Sequence, residues 1–365
     1  MLPATDPPNV PNTLVAGSHA LRVIKQLKRV ENATRKCFQP ATRNQSLPSP
    51  SKRRKLDSLQ ERPYNLSFPP VPQLSKDPSQ PSTILYLAYG SNLSSETFQG
   101  RRGIHPISQT NVVVPELSMT FDLAGLSYLE PCFANTRYRS EPPPTSSSYS
   151  NPPSSSDTEK ADTPDYRKTR WHKGLVGVVY EVTPTDYFHI IATEGGGASY
   201  QDVLVTCYTL SPSTSVVPSL PTNEPFKAHT LYSPITPPGT KPPESGGRFS
   251  RPDPNYAQPS ARYLKLITDG ADEHGLPQEY KTYLHQLRPY RITSQKQRLG
   301  AFVFGMIWLP FLSLVIGLSN RYADERGKAP KWLVVLMGWI FSGMWASYDG
   351  FFKGLFGDGE RTAGE

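Results

Sequence analysis

The sequence predicts an α+β domain set between a disordered basic N-terminal tail and a C-terminal pair of apolar helices. Three observations predict this. Short runs of strand length and composition, at 84–88, 111–114, 119–122, 174–182, 200–208 and 226–232, are interspersed with stretches of helical spacing. Residues 1–82 are rich in Pro, Ser, Asn and basic residues and keep no sustained periodicity, as in disordered segments. Near the C-terminal end, 299–318 and 332–348 are uncharged runs of twenty and seventeen residues.

The 365 residues carry 39 prolines and only 36% hydrophobic residues, so the folded part is shorter than the chain. The net charge of +8 is confined to one end. Residues 1–80 hold thirteen Lys or Arg against five Asp or Glu, which leaves the rest balanced and gives the folded part no polyanion-binding character. Nucleic acid is therefore not an expected partner. Cys37, Cys132 and Cys207 form neither a disulfide framework nor a metal-ligand spacing, so no metal is expected, and they fit a reducing compartment.

Within the tail, residues 20–30 have the pattern of a basic amphipathic helix, readable as a presequence or as a transient helix. Lys52, Arg53, Arg54 and Lys55 read either as a solvated charge run or as an address or lipid contact. Residues 1–20 show no secretory leader.

The folded domain is expected over 83–290. Two Pro/Ser-rich stretches, 140–164 and 211–224, are too polar to bury and read as disordered insertions, and 233–258 as irregular chain. Thr183, Pro184 and Asp186 start a helix, on which Phe188 and Ile191 share a stripe that Glu194 continues, before three glycines end it. Tyr263, Ile267 and Gly270 share helical spacing, and Pro277 opens a helix carrying Tyr280, Tyr283, Leu284 and Leu287.

Two places have chemical potential. The run 84–88 stops abruptly at Gly90, Ser91 and Asn92. Such a turn is either an ordinary strand end or a nest of N–H donors suited to an anion or a developing oxyanion. Glu194, on a helix's last turn with apolar stripe-mates, is expected to have its pKa raised above the free value of about 4.3, which suits proton transfer near neutral pH. A solvated helix-end glutamate is the plain alternative.

The segment Tyr86-Leu87-Ala88-Tyr89-Gly90-Ser91-Asn92-Leu93 resembles the signature loop of the gamma-glutamylcyclotransferase family. Residues 192–200 resemble that family's catalytic-glutamate segment, 131–136 a segment near its pocket, and 259–280 its C-terminal helical part, with the three main blocks in the family's order. The resemblance implies a small mixed β-barrel with helices packed outside. It implies intramolecular attack of a gamma-glutamyl alpha-amine on the gamma-carbonyl, releasing 5-oxoproline and an amino acid or amine, with no cofactor. It assigns Glu194 the proton transfers. Substrate contacts fall to Tyr86, Leu87, Ala88, Tyr89, Gly90, Ser91 and Asn92, and to Tyr200 and Tyr263. A further family tyrosine falls on Thr230 without a gap and on Tyr232 with a shift. The three glycines after Glu194 depart from the family's pattern.

The two apolar runs predict a hairpin of transmembrane helices joined by the charged loop 320–331. Six basic residues flank the hairpin against four in the loop, which favours both ends, and the enzyme domain, on the cytoplasmic side of a multi-pass protein. The expected partners are a small gamma-glutamyl peptide or amine and a membrane. The competing reading is an inactive membrane-anchored scaffold of the same fold; oligomeric state is not encoded in these features.

Overall fold

The computed structural model describes residues 47–64, 83–139, 171–193, 200–234, 251, 253, 256–322 and 330–362. Every described residue lies in one unit, Leu47–Glu365.

The strands, in chain order, are β1 (Ile84–Ala88), β2 (Ser108–Val114), β3 (Leu117–Leu126), β4 (Glu130–Tyr138), β5 (Leu175–Val182), β6 (Gln201–Thr209) and β7 (Pro225–Tyr232). Five of them close into a barrel in the order β1-β5-β2-β6-β7, while β3 and β4 pair with each other as a separate arm. Pairing is antiparallel except where β7 closes on β1, in parallel, with Tyr86 opposite His229. A small closed barrel fills its interior with side chains and covers its outside with helices, so its strands are apolar on both faces. Accordingly β1 is buried throughout, and β5 everywhere but Glu181, whose carboxylate accepts the Thr83 and Ser108 hydroxyls at 2.7 and 2.5 Å. Cys132 and Cys207 are buried free thiols, and burial pushes the Cys207 thiol well above its usual range.

The helices are α1 (Lys52–Ser58), α2 (Pro184–Thr193), α3 (Ala261–Glu273), α4 (Gln278–Gln286), α5 (Gln295–Tyr322), α6 (Lys331–Ser347) and α7 (Lys353–Phe356). Helix α2 starts where its sequence says, with the Thr183 hydroxyl accepting from the Asp186 amide at 3.1 Å. Its buried side chains are Tyr187 and Ile190; Phe188 and Ile191, the expected stripe, are half-buried. In α3, capped by Ser260, the Tyr263, Ile267 and Gly270 face is buried, and α4 buries Tyr280, Tyr283 and Leu284 under Trp171.

Two expectations of disorder are corrected. Residues 47–64, read as tail, form a strap bound to the domain: Gln109 donates its amide to Pro48, Lys227 its amide to Ser58 Oγ, and Arg54 pairs with Glu61 at 2.7 Å while donating to Thr83. The basic run is thus helix α1, with Arg54 turned inward. Residues 211–224 are also held. Val217 is buried, its amide donates to Glu279, and Lys173 donates both to Glu279 and to the Val217 carbonyl. The 140–164 and 20–30 segments lie outside the described residues, as does most of 233–258.

Helices α5 and α6 run antiparallel, Trp308 Nε1 donating to Ser347 Oγ at 3.1 Å and Phe304 packing against Tyr348 and Phe352. The expectation of two membrane-spanning helices is corrected to one of spanning length. Gln295–Ser319 qualifies, with mean hydropathy 2.3, whereas α6 has 17 residues. At about 1.5 Å per residue, α6 reaches roughly 25 Å, short of a hydrocarbon core of about 30 Å. The base of the hairpin is fastened to the β3–β4 turn. Tyr128, at φ 65°, has its hydroxyl 3.0 and 2.8 Å from the carbonyls of Phe352 and Gly357 and donates its amide to Gly359 at 2.7 Å.

Candidate active site

Strand β1 delivers the predicted turn. Leu85 and Leu87 lie on one strand face and Tyr86 and Ala88 on the other, all buried. Leu87 is a core residue, and its carbonyl accepts the Thr230 hydroxyl at 3.1 Å. The Tyr89 hydroxyl donates to the Leu231 carbonyl at 3.2 Å. Ser91–Leu93 then forms a single 3-10 turn, closed by the Leu93 amide donating to the Gly90 carbonyl at 3.0 Å. The first N–H groups of such a turn make no bond within it and point out of its start. Gly90 has φ −105°, so backbone conformation does not demand glycine here; close approach is the reason. Asn92 is buried and donates to the Tyr86 hydroxyl at 2.8 Å, folding the turn back on its own strand.

Helix α3 grips the turn from the other side. A Cβ on Gly90 would lie 3.3 Å from the Tyr263 hydroxyl and 3.5 Å from Ala134 Cβ, and that hydroxyl accepts the Ala134 amide at 3.1 Å. Tyr263 thus lies against the turn, and so does Ala134 of the 131–136 segment, now part of β4. Further along, Gly270 abuts Leu93, and His274 Nε2 lies 3.0 Å from the Leu93 carbonyl and 2.7 Å from the Tyr180 hydroxyl. Burial lowers the His274 pKa, outweighing the nearby Glu273 carboxylate and the Leu93 carbonyl, so the ring is neutral at pH 7. His274 escaped sequence reasoning because a single helix-end histidine carries no signal.

Helix α2 ends at Thr193, whose hydroxyl accepts a hydrogen bond from Arg102. Glu194 follows it directly in the chain and lies outside the described residues. Tyr200 is half-buried just before β6 and packs on the core. The Tyr187 ring lies 5.9 Å from Tyr86, and the Tyr187 hydroxyl donates to Asp202 Oδ1 at 2.5 Å. Asp202 and His229 are buried polar residues that sequence reasoning passed over, although charged or titratable residues inside strand patterns are themselves a signal. Among the described residues, no group of three or more His, Cys, Asp or Glu is set to hold a metal ion.

The described geometry is therefore a strand-end turn of backbone amides, clasped by a tyrosine from α3. Comparison with known proteins bears on what such a site serves. A gamma-glutamyl cyclotransferase gliK of Aspergillus fumigatus is 29% identical over 280 residues, which cover 76% of this chain and 89% of its own. A gamma-glutamyl cyclotransferase aclK of Aspergillus oryzae is 28% identical over 78% of this chain and 92% of its own. The chain is similar to gamma-glutamyl cyclotransferases over most of its length. Residues 294–355 match the AclK C-terminal domain, so α5 and α6 lie in a segment with its own family description. A solved gamma-glutamyl cyclotransferase covers 60% of this chain and 96% of its own at 18% identity, with a TM-score of 0.37.

Proposed function

We propose that the chain cyclises the gamma-glutamyl group of a small peptide or amine to 5-oxoproline. The alpha-amine nitrogen attacks the gamma-carbonyl carbon, an oxyanion forms, and its collapse breaks the gamma C–N bond and expels the departing amine. The alpha-ammonium nitrogen gives up two protons in becoming the lactam N–H, one before attack and one from the tetrahedral intermediate. The leaving nitrogen takes one proton to depart as an amine and a second to become an ammonium, so no water or cofactor is consumed. Nucleophile and electrophile belong to one molecule, and holding the glutamyl chain curled supplies much of the rate.

Glu194 takes and returns the proton in this reading, and the amides of the Gly90-Ser91-Asn92 turn steady the oxyanion or the alpha-carboxylate. Tyr263 and Tyr200 would frame the substrate, each with a hydroxyl for hydrogen bonding and a ring for an apolar wall. The observation that carries the proposal is the convergence on Gly90 of the Tyr263 hydroxyl and Ala134, which joins two separately matched sequence blocks at one point.

Helix α5 would insert in a membrane, its exposed face carrying Phe302, Met306, Leu309 and Leu314, with the enzyme domain on the cytoplasmic side. The test of the chemistry is to incubate the protein with gamma-glutamyl-alanine and with glutathione and assay 5-oxoproline. Production by wild type, with loss on Glu194→Gln, is expected; equal rates for the two, or no product, would sink the proposal.

A further inference from the structure

We propose that the strap 47–64 is a working part of the active site: with Glu61 and Tyr64 it fixes the His229–Asp202 pair, which through Tyr187 holds α2, the helix that Glu194 follows in the sequence. The catalytic half of this statement rests on the proposed function above.

The hub is a chain of directional contacts. The Asp202 carboxylate is fully buried and meets three donors: the Tyr64 amide at 2.5 Å, His229 Nδ1 at 2.8 Å and the Tyr187 hydroxyl at 2.5 Å. On its other side His229 Nε2 lies 3.2 Å from Glu61, and Glu61 is in turn 2.7 Å from Arg54, which is anchored on Thr83 at the start of β1. The Tyr64 ring stacks on His229 with centroids 4.9 Å apart and rests against Tyr187 and Phe188 of α2. Two of these partners, Glu61 and Tyr64, come from the strap. Without it, a buried carboxylate and a buried imidazole would lose a partner each.

Placement argues for more than a structural role. Burying such charges is costly, and apolar packing would secure a strap with less risk. The hub touches both halves of the site instead. Tyr187 belongs to the helix that runs into Glu194. His229 sits opposite Tyr86 in the parallel β1–β7 pair, Tyr86 packs on Tyr187, and the Tyr86 hydroxyl receives Asn92 of the turn. A general base displaced by about 1 Å can lose on the order of a hundredfold in rate. A phenol-to-carboxylate bond on α2 sets the helix's rotation as well as its depth. Glu61, Tyr64, Asp202, His229 and Tyr187 are thus assigned as positioning residues.

The experiment uses the full chain carrying Tyr187→Phe, Glu61→Ala or Glu61→Gln, with kcat and KM for 5-oxoproline release measured beside amide hydrogen exchange across 184–193. Tyr187→Phe keeps the ring and removes one hydroxyl, so folding is spared. The expected result is a fall in kcat of about tenfold or more with KM within about twofold, and faster exchange in 184–193 but not in 261–273. Glu61→Gln, which can still accept from His229, should retain more of kcat than Glu61→Ala. Unchanged kcat and unchanged exchange in both Tyr187→Phe and Glu61→Ala would overturn the assignment. Equal losses in kcat across all variants, tracking only a lower melting temperature, would overturn it as well. If wild type cyclises no gamma-glutamyl donor, the proposed function fails on its own, and the exchange rates still decide whether the strap holds α2.

Discussion

The Tyr263 hydroxyl accepts the Ala134 amide at 3.1 Å while standing 3.3 Å from the point where a side chain on Gly90 would begin. One phenol thereby ties α3 to β4 and forms a wall of the turn. Tyr263→Phe keeps the edge-to-face contact with Phe133 but leaves the buried Ala134 amide without this acceptor. A loss of about 1–3 kcal/mol follows from an unsatisfied buried donor. Urea denaturation should show that loss, and KM for the gamma-glutamyl donor should rise several-fold; an unchanged KM would remove Tyr263 from the pocket.

Gly270 and Gly275 offer a matched pair. A Cβ on Gly270 would fall 2.4 Å from the backbone carbon of Leu93 and 2.6 Å from the Ser94 nitrogen, neither of which can rotate away. Gly270→Ala should push α3 and the turn apart, costing about 1–3 kcal/mol or more from overpacking and at least tenfold in activity. Gly275 has φ +57° with open space where a Cβ would go. Gly275→Ala is then charged only for its left-handed backbone, about 1 kcal/mol, with activity retained. Equal effects on turnover would refute the idea that α3 seats the turn at Gly270.

What the sequence showed and what it hid divide along contact range. Strands β1 and β5 were legible because a barrel strand buried on both faces must be a continuous apolar run, and 84–88 and 174–182 are such runs. The Gly90 turn and the Tyr263 helix were legible from local chemistry. The strap was not: its order depends on Glu61 meeting His229 across 168 residues, and a mixed-charge run has no periodicity to announce that. The 211–224 stretch has one buried anchor, Val217, held through Glu279 and Lys173 from distant elements. On α2, helical spacing allowed either Phe188 and Ile191 or Tyr187 and Ile190 as the inner face. Apolarity favoured the first, but Asp202 gives the Tyr187 hydroxyl a partner and the second prevails.

Stability should depend on pH through His229. Burial alone would lower its pKa, but Asp202 and Glu61 outweigh burial and raise it from 6.5 to about 9. Arg54, Tyr64 and Tyr187 are the other ionisable groups facing the hub. Tyr64 is pushed up to about 12, by burial first and then by Glu61 and Asp202, so its phenol stays neutral in this range. A folded pKa above the unfolded one contributes stability that is fully present below pH 6.5 and fades as pH rises through 9. The loss is at most about 3 kcal/mol, from about 1.4 kcal/mol per pKa unit. Melting temperatures of wild type should drop by several degrees between pH 6.5 and 9.5, and those of His229→Gln should drop less. Parallel curves would show that the imidazolium does not hold the strap.

The length of α6 bears on the proposed insertion of α5. Its 17 residues reach roughly 25 Å, so a pair that enters a bilayer of full thickness turns back without α6 spanning it. The rigid base favours a fixed depth: Arg251 lies 4.0 Å from the Trp345 ring, bonds both oxygens of Asp349 at 2.6 and 2.7 Å, and pairs with buried Glu360 at 2.7 Å. A single cysteine at Gly327, between the two helices, reports the outcome in a Cys37→Ser background, where Cys132 and Cys207 are buried. In sealed vesicles with the enzyme domain outside, an impermeant maleimide should label Gly327→Cys before detergent opens the membrane. Protection until detergent is added would mean that both helices cross and that the length of α6 is no barrier.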